Sequence, residues 1–233
     1  SAASDVYKRQ HQTMLFFTRK GRCYWLKCYE IPEGDKNFKG RAIQNMLNIE
    51  PDDSVNALLR LRGLNDEEFV KSHYVVFATK NGTVKKTSLE AYSRPRTNGV
   101  NAINIVEGDE VVDVRLTNGK NEIILANRNG RAVRFDEDSI RTMGRVSTGV
   151  RGMKLDDGDD QVVGMIVVNN AETETVMVVS ENGYGKRTPV ADYPEQNRGG
   201  QGVYTIQMTE RKGNLAAMKT CLLYTSPSPR DRG

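Results

Sequence analysis

Apolar residues in this chain come in short runs that alternate with polar positions and stop at glycine, a pattern of strands and turns. Residues 74–89, "YVVFATKNGTVKKTSL", show it in one phrase. An apolar run meets Asn81-Gly82, which predicts a two-residue hairpin turn, and a charged strand returns. Neighbours on a strand point to opposite faces, so Lys85 and Lys86 cannot share one solvated side. One of them replaces a hydrophobe, or the strand is an edge guarded by charge. Helical periodicity is confined to the short "DEDSIRTM" of residues 136–143.

The phrase repeats. Copies run Phe16–Leu61, Val76–Leu116, Ile124–Val167 and Met177–Lys219, inside repeat units bounded near 14–66, 74–119, 122–170 and 175–220. Each has a turn glycine (Gly21, Gly82, Gly130, Gly183) and a second glycine (Gly40, Gly99, Gly149, Gly202), with gaps of 19, 17, 19 and 19 residues. Within a unit the pattern predicts four strands, which disfavours helical bundles and parallel α/β folds. Four-stranded units at this period predict an all-β, propeller-like array of blades. One blade cannot cover both its faces, so neighbouring copies must stack to form the core.

Charge changes the picture only after the ends are set aside. The DNA encoding Asp5–Gln10, "DVYKRQ", and that encoding Cys221–Ser226, "CLLYTS", can form an inverted repeat resembling a sequencing-library adapter. Residues 1–10 and 221–233 are therefore read as adapter sequence with no part in the fold, and 11–220 as the domain. The formal charge of the whole chain is +4, and each end segment carries +1, so the domain is barely basic. Binding a polyanion then requires cations segregated onto one face. They do follow the repeat: Lys27, Lys85 with Lys86, Arg131 with Arg134, and Lys186 with Arg187 come after the turn glycines. Lys36, Lys39, Arg41, Arg94, Arg96, Arg141, Arg145 and Arg198 lie in the long loops around the second glycines. The turn before the last strand is acidic in three units, at Asp52-Asp53, Glu107 to Glu110 and Asp156 to Asp160, the last of which, "DDGDD", is expected to be a solvated turn. In a radial array these recurrences predict a basic rim and an acidic end.

"NGTVKKTSL", "NGRAVRF", "STGVRGMKLDDGD" and "NGYGKRTPVADYP" together resemble the repeats of the C-terminal domain of the DNA gyrase A subunit. The resemblance covers residues 11 to 220. It implies a β-pinwheel, with four of an expected six blades present, whose outer edge binds and wraps duplex DNA without reading base edges, in support of ATP-dependent negative supercoiling. It further implies phosphate contacts from Lys27, Lys39, Arg41, Lys85, Lys86, Arg96, Arg131, Arg134, Arg145, Lys186, Arg187 and Arg198. "QNRGGQG", Gln196–Gly202, has the form of that family's basic glycine-rich box but stands in the fourth unit, and is read as a box-like loop of a later blade. The implied partners are double-stranded DNA, the breakage-reunion domain of the same polypeptide, and the ATPase subunit of a heterotetramer. The cofactors ATP and Mg2+ belong to other domains, with none expected here. The alternatives are the related domain of the topoisomerase IV A-type subunit, or a propeller scaffold for protein interaction.

Other chemistry finds little support. Cys23 and Cys28 match no zinc spacing and have only His11 and His73 as partners, so both read as buried or idle. Tyr24, Tyr29, Tyr74, Tyr92, Tyr184, Tyr193 and Tyr204 fall inside repeats, where packing is the ordinary role. "NGYGKRT" departs from a phosphate loop at Ser180 and Arg187, and "DDGDD" lacks the terminal glutamate of a calcium loop. With no secretory leader and no bilayer-length apolar run, the expected location is the cytoplasm, and the resemblance implies a bacterial, nucleoid-associated one.

Overall fold

The structure, a computed structural model, describes residues 12–31 and 41–222. Lys36, Lys39 and Gly40 lie outside the described residues, as do residues 1–10 and, of the expected adapter segment 221–233, residues 223–233. The first unit contributes strands β1 (Gln12–Thr18), β2 (Arg22–Lys27) and β3 (Val55–Arg62). From the second come β4 (Tyr74–Thr79), β5 (Thr83–Ser88), β6 (Val100–Asn101) and β7 (Val111–Thr117). The third adds β8 (Glu122–Asn127), β9 (Arg131–Asp136), β10 (Val150–Arg151) and β11 (Val162–Val168). The fourth adds β12 (Glu174–Ser180), β13 (Gly185–Pro189), β14 (Val203–Tyr204) and β15 (Leu215–Leu222). Because β15 pairs Thr175 with Cys221 and Glu174 with Leu222, regular structure runs two residues past the expected boundary at 220.

The sheet orders are β3-β1-β2-β6, β10-β5-β4-β7, β11-β8-β9-β14 and β13-β12-β15. Each of the first three sheets is thus completed on its outer side by a short strand from the following unit. This exchange makes the array a β-pinwheel. The long strands β3, β7, β11 and β15 lie on the inner side, where each packs on the next. Hydrophobic clusters form between units: Leu15, Phe17 and Leu59 meet Phe77, Tyr92 and Val114, while Val76 and Val84 meet Ile123, Leu125 and Phe135. A third joins Ile124 and Ile166 to Val176, Val178 and Met218. The core is shared by neighbours, as the one-blade burial argument requires.

The hairpin turn is longer than the sequence pattern predicts. Ala78 pairs with Val84, and Gly82 N–H donates to Thr79 O at 3.0 Å. Among the described residues only glycines have a positive φ, so Asn81 cannot occupy the first place of a type I′ turn. The turn is a three-residue loop closed by Gly82 at φ +88°. Its geometry is fixed by a side-chain acceptor that every unit supplies. Thr18 Oγ1, Thr79 Oγ1, Asn127 Oδ1 and Ser180 Oγ accept the N–H of the residue after the turn glycine at 2.8–3.2 Å.

Helix also departs from expectation. Residues 136–143 hold only the 3-10 turn Glu137–Ser139, whereas short α-helices span Arg41–Met46 and Glu67–Ser72. The second is capped by Asp66, whose carboxylate accepts from the Glu68 and Phe69 N–H groups.

The acidic turns are not merely solvated. Asp53, Asp109 and Asp160 each accept, through Oδ1, the N–H of the residue before a turn glycine (Lys20, Asn81, Asn129) at 2.9–3.3 Å. Each also accepts the N–H of its own successor. In the fourth unit Gly213 stands in that place, and Asn182 N–H donates to the Lys212 carbonyl instead. The acidic recurrence therefore ties the first hairpin to the inner strand.

Candidate nucleic-acid interface

The twelve cations implied as phosphate contacts meet different fates. Lys27, at the end of β2, is exposed, as are Arg96, Lys186 and Arg187. Arg145 and Arg198 are half-buried in the loops that lead to β10 and β14. Arg41 opens the helix Arg41–Met46, and Lys39 lies outside the described residues.

Lys85 and Lys86 require a correction. Although β5 is an outer strand of its own unit, β10 lies across its start and residue 142 bridges to Lys86 further along. Lys85 is 0% exposed; its Nζ donates to Ala102 O at 2.7 Å and Arg145 O at 2.6 Å and lies 5.6 Å from the Phe77 ring centre. Burial, with the Arg145 guanidinium adding to it, pushes this ammonium down to about 7. Lys86 Nζ donates to Glu137 O at 3.2 Å and stands 3.9 Å from the buried Glu137 carboxylate. Neither amine reaches a phosphate in this arrangement.

Arg134 is also engaged internally. Its Nε and Nη2 donate to Glu122 at 2.7 and 3.0 Å, and Nη1 donates to Val190 O and Tyr193 O. Trp25, Lys86 and Arg134 occupy the same place, four residues past a turn glycine, and each donates into the region of the next unit's 3-10 turn. That place is an inter-blade clasp. Arg131 packs over Tyr204 at 4.1 Å, with Asp156 at 3.7 Å from its Nε, so it too binds the neighbouring unit.

One group of exposed cations lies elsewhere. Arg94 and Arg96 lie in the loop before β6, Arg141 in the loop before β10, Arg151 on β10 and Lys154 just beyond it; Lys186 and Arg187 are exposed on β13, at the places of Lys85 and Lys86, because no strand covers its outer side among the described residues. All are on or beside outermost strands. Backbone bonds link these perimeter segments in series: Asn104 N–H to Ser147 O, Gly199 N–H to Gly152 O and Lys154 N–H to Gly200 O. Arg198 joins the belt through Arg151 O and Ser139 O. Cations at the hairpin-turn end are instead paired with acids, as in Arg128–Asp159 (2.9 Å), Arg19–Glu110 (3.9 Å) and Lys20–Asp52. The Lys20 hydrogen bond holds the Asp52 carboxyl below its ordinary range. Among the described residues, Arg94, Arg96, Arg141, Arg151, Lys186 and Arg187 form no such pair. The sequence pattern did not single out Arg151 and Lys154. Their signal was there, two and five residues after Gly149 on the arm that completes the preceding sheet.

The repeat geometry and strand exchange match a known family. The family model described as "DNA gyrase C-terminal domain, beta-propeller" matches residues 12–62, 73–118, 121–169 and 174–221. The chain belongs to the DNA gyrase C-terminal domain family. The DNA gyrase A subunit of Staphylococcus epidermidis is 44% identical over 210 residues, covering 90% of this chain and 23% of the relative. Its counterpart in Salmonella typhimurium is 44% identical over 205 residues, covering 88% and 22%. The chain therefore spans under a quarter of the length of these relatives. Among solved structures, the C-terminal domain of DNA topoisomerase IV aligns with a TM-score of 0.78 at 26% identity, covering 94% of this chain and 71% of that one. The gyrase A C-terminal domain aligns at 0.76 and 23% identity, covering 91% and 66%, a likeness of fold. Like the family's propeller description, this member carries its repeats as blades with shared cores.

Cys23 and Cys28 are free, and burial pushes the Cys23 thiol up. Among the described residues no cluster of three or more His, Cys, Asp or Glu could hold a metal ion, and no helix is long and apolar enough to cross a membrane.

Proposed function

We propose that this chain binds duplex DNA without strong sequence preference and bends it around its perimeter, as the C-terminal module of a gyrase A-type subunit that supports ATP-dependent negative supercoiling. One observation carries the reading: Arg94, Arg96, Arg141 and Arg151 are exposed on or beside outermost strands and have no acidic partner among the described residues, while Arg19, Lys20 and Arg128 at the hairpin-turn end are each paired with an acid. Such a track displaces counterions from phosphates and needs no base contacts. Bending a few tens of base pairs costs about 1 to 10 kcal/mol, which many weak contacts along a perimeter can offset. The breakage-reunion domain of the same polypeptide and the ATPase subunit would be its working partners, with ATP and Mg2+ acting there. The 44% identity to proteins named as gyrase A subunits supports this assignment, and the related topoisomerase IV domain, similar in fold, is the alternative.

The test is affinity for unrelated linear and minicircular duplexes across a salt series. Comparable binding of all sequences, a steep fall with salt and a preference for curved DNA are expected. Reversing Arg94, Arg96, Arg141, Arg151, Lys186 and Arg187 to Glu should abolish binding at moderate salt without unfolding the protein. A folded protein that ignores duplex DNA at low salt would turn the reading toward a protein scaffold.

A further inference from the structure

Val146 stands on the perimeter belt and is 71% exposed, more than Tyr29 (58%), Tyr204 (56%), Leu58 (52%) or Val106 (50%). The repeat does not demand an apolar residue there. Three residues before the second glycine, the second unit has Arg96 and the fourth Gly199. Yet the backbone beneath Val146 is held with unusual completeness for a loop tip. Three consecutive carbonyls are occupied: Arg145 O accepts from Lys85 Nζ at 2.6 Å, Val146 O from Asn104 Nδ2 at 2.7 Å and Ser147 O from Asn104 N–H at 3.0 Å. Ser147 Oγ closes the tip on Gly144 O at 2.7 Å. A buried lysine amine is thus committed to fixing the residue just before Val146.

Flanking this tip along the chain are Arg145, exposed Arg141 and, on the strand that follows, exposed Arg151. A rigid apolar point among arginines suits one class of partner. Phosphates satisfy the guanidinium groups, and the base faces uncovered when a step partly unstacks offer an apolar surface reached through the groove between two phosphate rows.

We propose that Val146 is an apolar wedge that enters a base step of the bound duplex and concentrates part of the bend there. This rests on the DNA-wrapping reading and adds a location to it. Wedge side chains partly unstack one step and kink the duplex, with the surrounding contacts compensating the unstacking. Prior fixation of the loop limits the ordering lost on binding. The wedge reads no base identity, but it favours pyrimidine–purine steps such as TA, which unstack most easily.

The experiment uses the chain with a mixed-sequence minicircle carrying 2-aminopurine at its TA steps, at a salt concentration where binding is saturated. Binding of the wild type should raise the fluorescence, V146S should reduce that rise severalfold, and V146I should keep it. The salt slope of binding should be the same in all three, since it counts phosphates. Equal rises for wild type and V146S, no rise from saturated wild type, or loss of the rise in V146I would each overturn the wedge while leaving the wrapping reading standing. A folded wild type that binds no duplex overturns the wrapping reading and takes the wedge with it.

Discussion

Strands β5 and β13 carry the same phrase, Lys85-Lys86 and Lys186-Arg187, three and four residues past a turn glycine, and the two pairs end in opposite environments. The first pair is buried and the second exposed. The strands themselves do not differ in kind. Across β5 lies β10 from the following unit, while among the described residues nothing pairs with the outer side of β13. The turn glycines repeat the contrast. A Cβ on Gly82 would stand 2.7 Å from Met153 O on the incoming arm, whereas one on Gly183 meets nothing within 4 Å. A cation in this repeat is therefore a clasp or a surface charge according to its neighbour.

The largest expected effect breaks the clasp. Lys86→Ala leaves the Glu137 carboxylate buried without its cation, and removing one partner of such a pair costs about 3 to 5 kcal/mol. Arg187→Ala, on the exposed strand, should change stability by less than about 0.5 kcal/mol. Urea denaturation of the two variants checks this, and equal midpoints would remove the distinction between the strands.

Glycine substitutions come next. Gly82→Ala combines left-handed backbone strain with a collision against a backbone carbonyl, for a loss of about 3 kcal/mol. Gly183→Ala carries only the strain, about 1 kcal/mol. Thermal unfolding should rank them in that order.

A pH series sharpens the comparison further. Lys85 is pushed down to about 7 in the fold, against an ordinary value of 10.5. Between those values the unfolded chain holds a proton that the native protein lacks, so stability rises with pH across this window, by up to about 1.4 kcal/mol per unit. Below about pH 7 the contribution is flat. Chemical denaturation from pH 7 to 10 should show the rise, and Lys85→Met should flatten it.

The smallest effect concerns the acidic turns. Asp109→Ala removes the acceptor for the Asn81 and Glu110 N–H groups and should cost about 1 kcal/mol. Gly213→Asp, which places a carboxylate where the fourth unit has none, must also surrender a left-handed glycine at φ +73°. Denaturation midpoints should show no gain from it.

Much of this was open to a reader of the sequence. The alternation of apolar and polar positions located the strands, and the paired glycines marked the repeat. The acidic residues stood at a constant offset, but their role as acceptors for turn N–H groups was hidden, because a solvated carboxylate and a bonded one look alike in sequence. The three-residue turn was hidden for a similar reason: Asn-Gly suits two turn types, and the buried Thr79 hydroxyl decides between them.

By itself the sequence determined the repeat and the all-β class, which follow from local periodicity and spacing, and its motifs carried the resemblance to the family. Only the tertiary structure decided which cations face outward. Strand exchange places the arm of one unit over the strand of the one before it, and whether a lysine ends in solvent or on a carbonyl depends on contacts dozens of residues away. Local pattern carries no record of such contacts, because burial is a property of the neighbour as much as of the residue.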